Sequence, residues 1–363
     1  MRQLPRGKSP GLSLVTFEAL RRIFDAHGAA LITRLVNLIL NGQLHDSARE
    51  FLTAAKLVAL RKPNGKLRPI AMGDALRRLA MQVLCHTHRD EFEAYFTAAL
   101  SGDEEDVRRA SQGAAVGVAL QLGVGTPGGA EIASHTIRAH LERHPEHAAF
   151  KNDFKNAFNG VSRRRIVQAL LDSPFAHLEP AVRFFYEQAG VLYFDGERLG
   201  ADSCQGAQQG DPLGPFLFAL AFHGAVLQLV AREFPDCVFV SYLDDVTVLG
   251  EPARALEALQ RLQTLSLDAE DGCGLVSEMS KCAVYSPRGD LACVPAEIEG
   301  SPAHPAGRLR GMVFVGAPLG DDEWVRDEAV ALFERAASGL ALLSAVRDAG
   351  RLQTAAQARL LLL

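Results

Sequence analysis

The chain lacks most of the features that would place it outside the globular class. Its 32 glycines and 17 prolines are spread over 363 residues, far below the roughly 25–30% that marks low-complexity sequence. Only six cysteines occur (85, 204, 237, 273, 282 and 293), none in a C-x-x-C pair, which suits reduced thiols better than a disulfide framework. Cys85-His86-Thr87-His88 could supply half a zinc site, but no second half of matching spacing follows, so none is expected. There is no excess of positive charge: 38 Lys and Arg against 43 Asp and Glu leave a net charge of −5, which excludes a uniformly basic nucleic-acid coat. The longest apolar-looking stretch, Leu31 to Leu40, carries Arg34 and Asn37 and falls short of the ~20 residues a bilayer needs. The N-terminus MRQLPRGKSPG has no apolar core of a secretory signal, so an intracellular protein without a membrane partner is expected. No basic import tract chooses between nucleus and cytoplasm. No repeat at periods of 20 to 50 residues is visible. The hydrophobic share, 48%, fills the cores of about two compact units.

Charge is distributed unevenly along this acidic chain. Between residues 56 and 90, Lys56, Arg61, Lys62, Lys66, Arg68, Arg77, Arg78 and Arg89 face only Asp74 and Asp90, which reads as a basic island. Within it, Pro63-Asn64-Gly65 lies between two apolar runs, and Asn-Gly in that setting predicts a β-hairpin tipped with cations. Asp195-Gly196 predicts a second hairpin by the same rule. Residues 14 to 59 show the apolar spacing of two packed helices. The acidic run Asp103 to Asp106 reads as a solvated bend, and the Gly-rich stretch 123–129 as a loop opening a helix over 130–143. Short strands are predicted at 150–154, 238–243, 246–249 and 313–315, with helices at 162–171, 212–229, 256–267 and 324–343. Strands and helices alternate without a regular βαβ rhythm, so a mixed α+β layer structure is expected.

Tyr242-Leu243-Asp244-Asp245 is the most informative motif. Two adjacent carboxylates make a poor hairpin tip, because their charges repel and the turn prefers Asn-Gly or Asp-Gly. A hard divalent cation such as Mg²⁺ would offset that cost and bring phosphate chemistry with it. Asp153, in Lys151-Asn152-Asp153-Phe154, ends another short strand; pairing beside the Asp244 hairpin would converge carboxylates from distant parts of the chain, as two-metal phosphoryl chemistry requires. Phe158 is either a core aromatic or a wall beside an incoming sugar. Gly206 to Pro215 (GAQQGDPLGP) is a loop opening a helix. There Gly210 permits close backbone approach and Gln209 offers donors and an acceptor to a base. Lys281 follows a loop, and Gly316 lies in a turn after a strand.

In this order KPNGKLRPIA, DFKNAFN, QQGDPLGP, YLDD, GLVSEMSKC and VGAPLG resemble the reverse transcriptase domain of non-LTR, LINE-type retrotransposons, from about residue 55 to 320. The resemblance implies an α+β right-hand polymerase fold with palm and fingers. Residues 1–55 would be an N-terminal helical extension, 56–150 fingers with part of the palm, 151–320 the palm, and 321–363 the start of a thumb. About 40 residues after Gly320 do not hold a complete helical thumb, and no upstream endonuclease fits in the first 55, so one domain of a larger polyprotein is expected. The implied activity is RNA-directed DNA polymerisation by two-metal nucleotidyl transfer from a dNTP to a primer 3′-hydroxyl. Its partners would be an RNA template and a DNA primer, with two Mg²⁺ (Mn²⁺ as substitute) as cofactor. The resemblance makes Asp153, Asp244 and Asp245 the metal-binding catalytic carboxylates. It gives the triphosphate to Arg61, Lys62 and Arg68, and the gate against a ribose 2′-hydroxyl to Phe158. Gln209 and Gly210 would support the new base pair, Lys281 would protonate departing pyrophosphate, and Gly316 would grip the primer. Two departures stand out: Leu243 where alanine is commonest, and the polar Asn152 in the strand before Asp153. The alternatives are a catalytically inactive relic that binds nucleic acid and an RNA-directed RNA polymerase; Phe158, an aromatic wall, argues against the latter.

Overall fold

A computed structural model of the chain describes residues 4, 7, 8, 10–61, 65, 67–98 and 118–348. Lys62, the Asp103 to Asp106 run and the apolar end Leu360 to Leu363 lie outside the described residues. Three helices lead, α1 (Phe17–His27), α2 (Ala29–Leu40) and α3 (Asp46–Thr53), one more than the apolar periodicity predicts. Thr16 caps α1 by accepting the Ala19 N–H at 3.1 Å. The third helix is capped by His45, whose ring accepts the Ser47 N–H, a cap that the usual Ser/Thr/Asp/Asn rule does not flag.

The first hairpin forms as expected: β1 (Ala55–Arg61) and β2 (Leu67–Gly73) run antiparallel with Ala55 opposite Gly73 and Arg61 opposite Leu67. Helices α4 (Ala75–Thr87) and α5 (Arg89–Thr97) follow. Beyond them come β3 (Val118–Gln121), α6 (Gly129–Arg143), β4 (Ala148–Asn152), α7 (Ala157–Gly160), α8 (Arg163–Leu171) and α9 (Glu179–Tyr186). The second hairpin, β5 (Leu192–Phe194) and β6 (Glu197–Arg198), turns at Asp195 and Gly196 with φ of 50° and 88°, the doubly positive turn that Asp-Gly favours. Next are α10 (Gly214–Phe222), a π-helical stretch His223–Leu227 and α11 (Gln228–Glu233). The chain then forms β7 (Val238–Tyr242), β8 (Asp245–Gly250), α12 (Pro252–Leu267) and β9 (Ala283–Tyr285). It closes with the hairpin β10 (Gly311–Phe314) and β11 (Ala317–Gly320) and with α13 (Asp322–Asp348).

Two larger sheets organise these elements. One has the order β2-β1-β5-β6, the other β3-β7-β8-β4-β9; only the β1–β5 and β3–β7 pairings are parallel. Helices pack against the sheets without doubly wound alternation, as the α+β reading requires. The continuous helix Gly214–Glu233 is long and apolar enough to cross a membrane by length and composition, but 78% of its most apolar window is buried inside the protein. It is the helix predicted over 212–229, carried four residues further to Glu233, and it forms the central core helix, with Phe216, Phe218 and Phe222 at most 1% exposed.

His223 opens the π-helical stretch, fully buried beside Tyr95 and Phe96, and neither ring nitrogen has a hydrogen-bond partner among the described residues. Burial pushes its pKa down to about 4. Between that value and the ordinary ~6.5 the unfolded chain binds the extra proton, so stability is lost as pH falls through this window, by roughly 3 kcal/mol at full extent. His223→Phe should flatten that part of the acid-stability profile in denaturant unfolding at pH 7 and pH 4; an unchanged slope would contradict a neutral buried imidazole. All six cysteines are free.

Candidate active site

The candidate site lies where β4, the β7–β8 hairpin and the segment before β9 meet. Asn152 pairs with Val246 and Tyr242 with Asp245, so Asp153, one residue beyond β4, comes level with Asp245 at the hairpin end. The other side of Asp153 is fixed by residues 276–278: its carbonyl accepts the Glu278 N–H at 2.8 Å, and Lys155 N–H donates to the Val276 carbonyl at 2.8 Å. Burial pushes the Asp245 carboxyl pKa up; Lys151 opposes that, Asp153 adds to it, and Lys281 opposes it again. These four side chains therefore share one electrostatic neighbourhood. Lys281 Nζ donates to Asp153 Oδ1 at 2.8 Å. Lys151 Nζ stands 3.8 Å from Asp245 Oδ1 and donates to the Val313 carbonyl at 3.1 Å.

A partly buried lysine, Lys151, and an exposed one, Lys281, hold against two carboxylates the positive charge that a hard cation would supply, and all-oxygen donors of this kind fit Mg²⁺ or Mn²⁺. Asn152, the polar departure in the strand, is fully buried; its Oδ1 accepts from Gln263 Nε2 at 3.0 Å and lies 3.6 Å from Cys282 Sγ. The amide thus ties β4 to α12 and to the segment carrying Lys281.

The Leu243-Asp244 turn is unusual because its first residue is a leucine with φ 58°, a left-handed conformation that L side chains resist. A residue absent from the sequence reading holds it there. Gln121, fully buried at the end of β3, accepts the Leu243 N–H on Oε1 at 2.7 Å and donates from Nε2 to the Leu243 carbonyl at 3.1 Å. Nε2 also lies 2.9 Å from Ser241 Oγ, whose hydroxyl donates to the same Leu243 carbonyl at 3.0 Å. The Leu243 side chain and backbone crowd Gly123, where a Cβ would fall 2.6–2.7 Å from Leu243 atoms. A lone Gln in a strand gives no sequence signal; only the parallel β3–β7 pairing brings it beside the turn. Gln121→Leu should cost about 1–3 kcal/mol for the unpaired turn groups. In primer-extension kinetics it should lower kcat with primer–template Kd unchanged; an equal loss in both would mean a general packing defect.

The other predicted site residues surround this centre. Arg61 ends β1, exposed, opposite Leu67. Arg68 lies in β2 opposite Leu60, and its side chain, like all of Lys62, is outside the described residues. Phe158 in α7 is half-buried and stacks on Phe218 with centroids 4.9 Å apart. Its carbonyl accepts the Ala207 N–H at 2.8 Å, which brings the 206–215 loop against α7. Gly210, with φ 109°, abuts β2, where a Cβ would sit 3.0 Å from the Ala71 carbonyl oxygen. Gln209 beside it is half-buried. Gly316 forms the β10–β11 turn with Val315, at φ of 84° and 48°.

The basic island needs correction. Arg77 is fully buried, with Nη2 2.7 Å from Asp211 Oδ2, and Tyr186 donates its hydroxyl to the same oxygen at 2.7 Å. Arg78 is also buried, its guanidinium 4.9 Å over the Phe17 ring. Both cations are structural, so the net count over 56–90 overstates the positive surface. Asp211 accepts the Leu213 N–H at 3.0 Å at the start of α10, and its second oxygen anchors the loop to α4 and α9.

The family model for reverse transcriptase (RNA-dependent DNA polymerase) matches residues 60–306. The retrotransposable element SLACS 132 kDa protein of Trypanosoma brucei gambiense is 31% identical over 294 residues, 80% of this chain and 22% of that protein. The chain therefore spans about a fifth of that relative's length. Among solved structures, apo telomerase from Candida tropicalis truncated from its C-terminal domain aligns over 74% of this chain and 53% of its own, with TM-score 0.46 and 13% identity. Telomerase from Candida albicans with a telomeric RNA fragment aligns over 81% and 48%, with TM-score 0.43 and 13% identity. The family match covers the motifs read from the sequence from the first hairpin through Asp153, the YLDD turn and Lys281, and leaves the VGAPLG stretch at 315–320 outside it; on the family model and this relative, the chain belongs to the reverse transcriptase family.

Proposed function

We propose that this chain is the catalytic polymerase domain of a retrotransposon-encoded reverse transcriptase, extending a DNA primer on an RNA template with dNTPs. The observation that carries the reading is the convergence of Asp153 and Asp245 from separate strands, beside Asp244 in the turn, with Lys151 and Lys281 neutralising them. Asp153 and Asp244 would hold two Mg²⁺, or Mn²⁺, with Asp245 assisting. When bound, the ions supply charge stabilisation at the attacking and leaving oxygens of an in-line displacement. Around them the chain binds and orients. Arg61, with Lys62 and Arg68, offers cations to the triphosphate, and Gln209 and Gly210 support the new base pair. Gly316, in the turn of the hairpin whose Val313 carbonyl receives Lys151, would lie along the primer. Lys281 is held on Asp153, a position from which its ammonium would donate a proton to departing pyrophosphate. Lys and Arg contacts to backbone phosphates make template binding fall steeply with salt.

Phe158 presents an apolar wall where a ribonucleotide would carry a hydroxyl without a polar partner. The test is extension of a labelled DNA primer on an RNA template by the purified chain, with dNTPs or rNTPs and with Mg²⁺ or chelator. Template-dependent extension with dNTPs, abolished by chelator, is expected. Phe158→Ala should raise rNTP use relative to dNTP by roughly 10- to 200-fold, the range one small group commands. Unchanged sugar discrimination would remove the gate from Phe158. A folded chain that binds primer–template but never extends it would replace the polymerase with the relic reading.

A further inference from the structure

At the far end of β4 from Asp153 lies a second cluster of metal-binding chemistry that polymerisation does not use. His144 caps the C-terminus of α6, and His144-Pro145-Glu146-His147 forms a turn into β4, closed by the His147 N–H on the His144 carbonyl at 3.0 Å. One donor atom from each of His144, Glu146 and His147 lies within 4.8 Å of the others. His144 Nδ1 is 3.6 Å and His147 Nε2 3.7 Å from the same Glu146 oxygen. Donors held ~2.0–2.2 Å from one ion sit roughly 3.3–3.6 Å apart, so small side-chain rotations suffice. On its other side His147 Nδ1 is 3.0 Å from His140 Nε2, one turn back on α6. With the proton on His147 Nδ1, donated to His140, the Nε2 lone pair faces Glu146, the outer-shell arrangement that orients metal-bound histidines.

The turn is also rigid before any ligand arrives. Pro145 fixes its second position, and its carbonyl accepts the Arg288 N–H at 2.8 Å. The His147 carbonyl accepts the Ser286 hydroxyl at 2.6 Å. Gly289 presses so closely that a Cβ there would fall 2.4 Å from the Glu146 carbonyl oxygen. Mg²⁺ favours all-oxygen shells, whereas two imidazoles and one carboxylate suit a borderline ion.

We propose that His144, Glu146 and His147, oriented by His140, form a binding site for a transition-metal ion of the Zn²⁺ class that pins the C-terminal end of α6 to the start of β4. The experiment is calorimetric titration of the metal-stripped full chain with Zn²⁺ under excess Mg²⁺, alongside thermal melts. Binding of Zn²⁺ with an upward shift in Tm is expected. His144→Ala/His147→Ala should abolish this binding, while His140→Phe and Glu146→Gln should each weaken it by about 10- to 100-fold. Asp153→Asn should leave it intact. Melts without Zn²⁺ show whether each variant is folded, and the single His140 and Glu146 variants decide the matter if the double variant is not. A Co²⁺-loaded chain should lack the intense charge-transfer band of thiolate ligation. No Zn²⁺ binding, binding indifferent to the histidines, a thiolate band, or loss in Asp153→Asn would each overturn the site.

Discussion

Asp153→Asn should eliminate primer extension, by at least about a thousandfold, while leaving the melting temperature almost where it was. On the proposed two-metal reading, the substitution would remove one of the carboxylates that would hold the ions, and the charge stabilisation they would supply amounts to several kcal/mol. Stability is spared because the partner Asp153 loses is Lys281, which is more than half exposed, and such pairs contribute about 0–1 kcal/mol. The raised Asp245 pKa, to which Asp153 contributes, also means that the substitution relieves some repulsion. Asp244→Asn should behave alike, losing extension with fold and template binding retained. Extension surviving in either variant would remove the carboxylates from catalysis. A large fall in Tm would mean that the charges serve the fold instead.

The opposite dissociation is expected at Arg77. Arg77→Met strands the Asp211 carboxylate in a site from which water is excluded, and breaking a buried pair in this way costs about 3–5 kcal/mol. Burial lowers the Arg77 pKa, but Asp211 and Tyr186 more than offset this and leave it raised, so the guanidinium keeps its charge inside the pair. In Arg77→Met/Asp211→Asn the orphan charge is gone and the amide oxygen can still accept from Tyr186, so at least half the loss should return. Denaturant unfolding of the two single variants and the double variant gives the coupling energy, and a value near zero would show that the two side chains act independently. Because Asp211 sits next to Gly210 and anchors the loop to α4 and α9, Arg77→Met should also impair dNTP use in proportion to the fraction unfolded.

Local chemistry was readable wherever it is self-contained. Asn64-Gly65 and Asp195-Gly196 announced their hairpins; at Asp195 and Gly196 both φ values are positive, the conformation that selects those residues. The paired aspartates of YLDD announced a charge to be neutralised. The remainder depends on partners far along the chain. Arg77 counts as one more cation until Asp211, 134 residues away, is seen against it. Lys151 lies two residues before Asp153, yet on a strand that spacing puts it on the same face, where only the β8 pairing gives it Asp245 as neighbour. His140, His144 and His147 fall at near-helical spacing across the end of α6, and nothing in that spacing reveals that the chain turns back to bring Glu146 between them. The apolar helix predicted over 212–229 is present, but that it is the central core helix follows only from what packs around it.

Gln121 and Leu243, which together shape the aspartate turn, are separated by 122 positions. A ribosome adding ~5–20 residues per second needs roughly 6 to 24 s to cover that distance. Throughout that interval the nascent chain carries β3 without β7 to pair it and a glutamine amide without its turn. The aspartate turn therefore cannot be set until β7 and Leu243 have been synthesised. Anything that stalls translation between the two residues leaves an unpaired apolar strand open to the wrong partner.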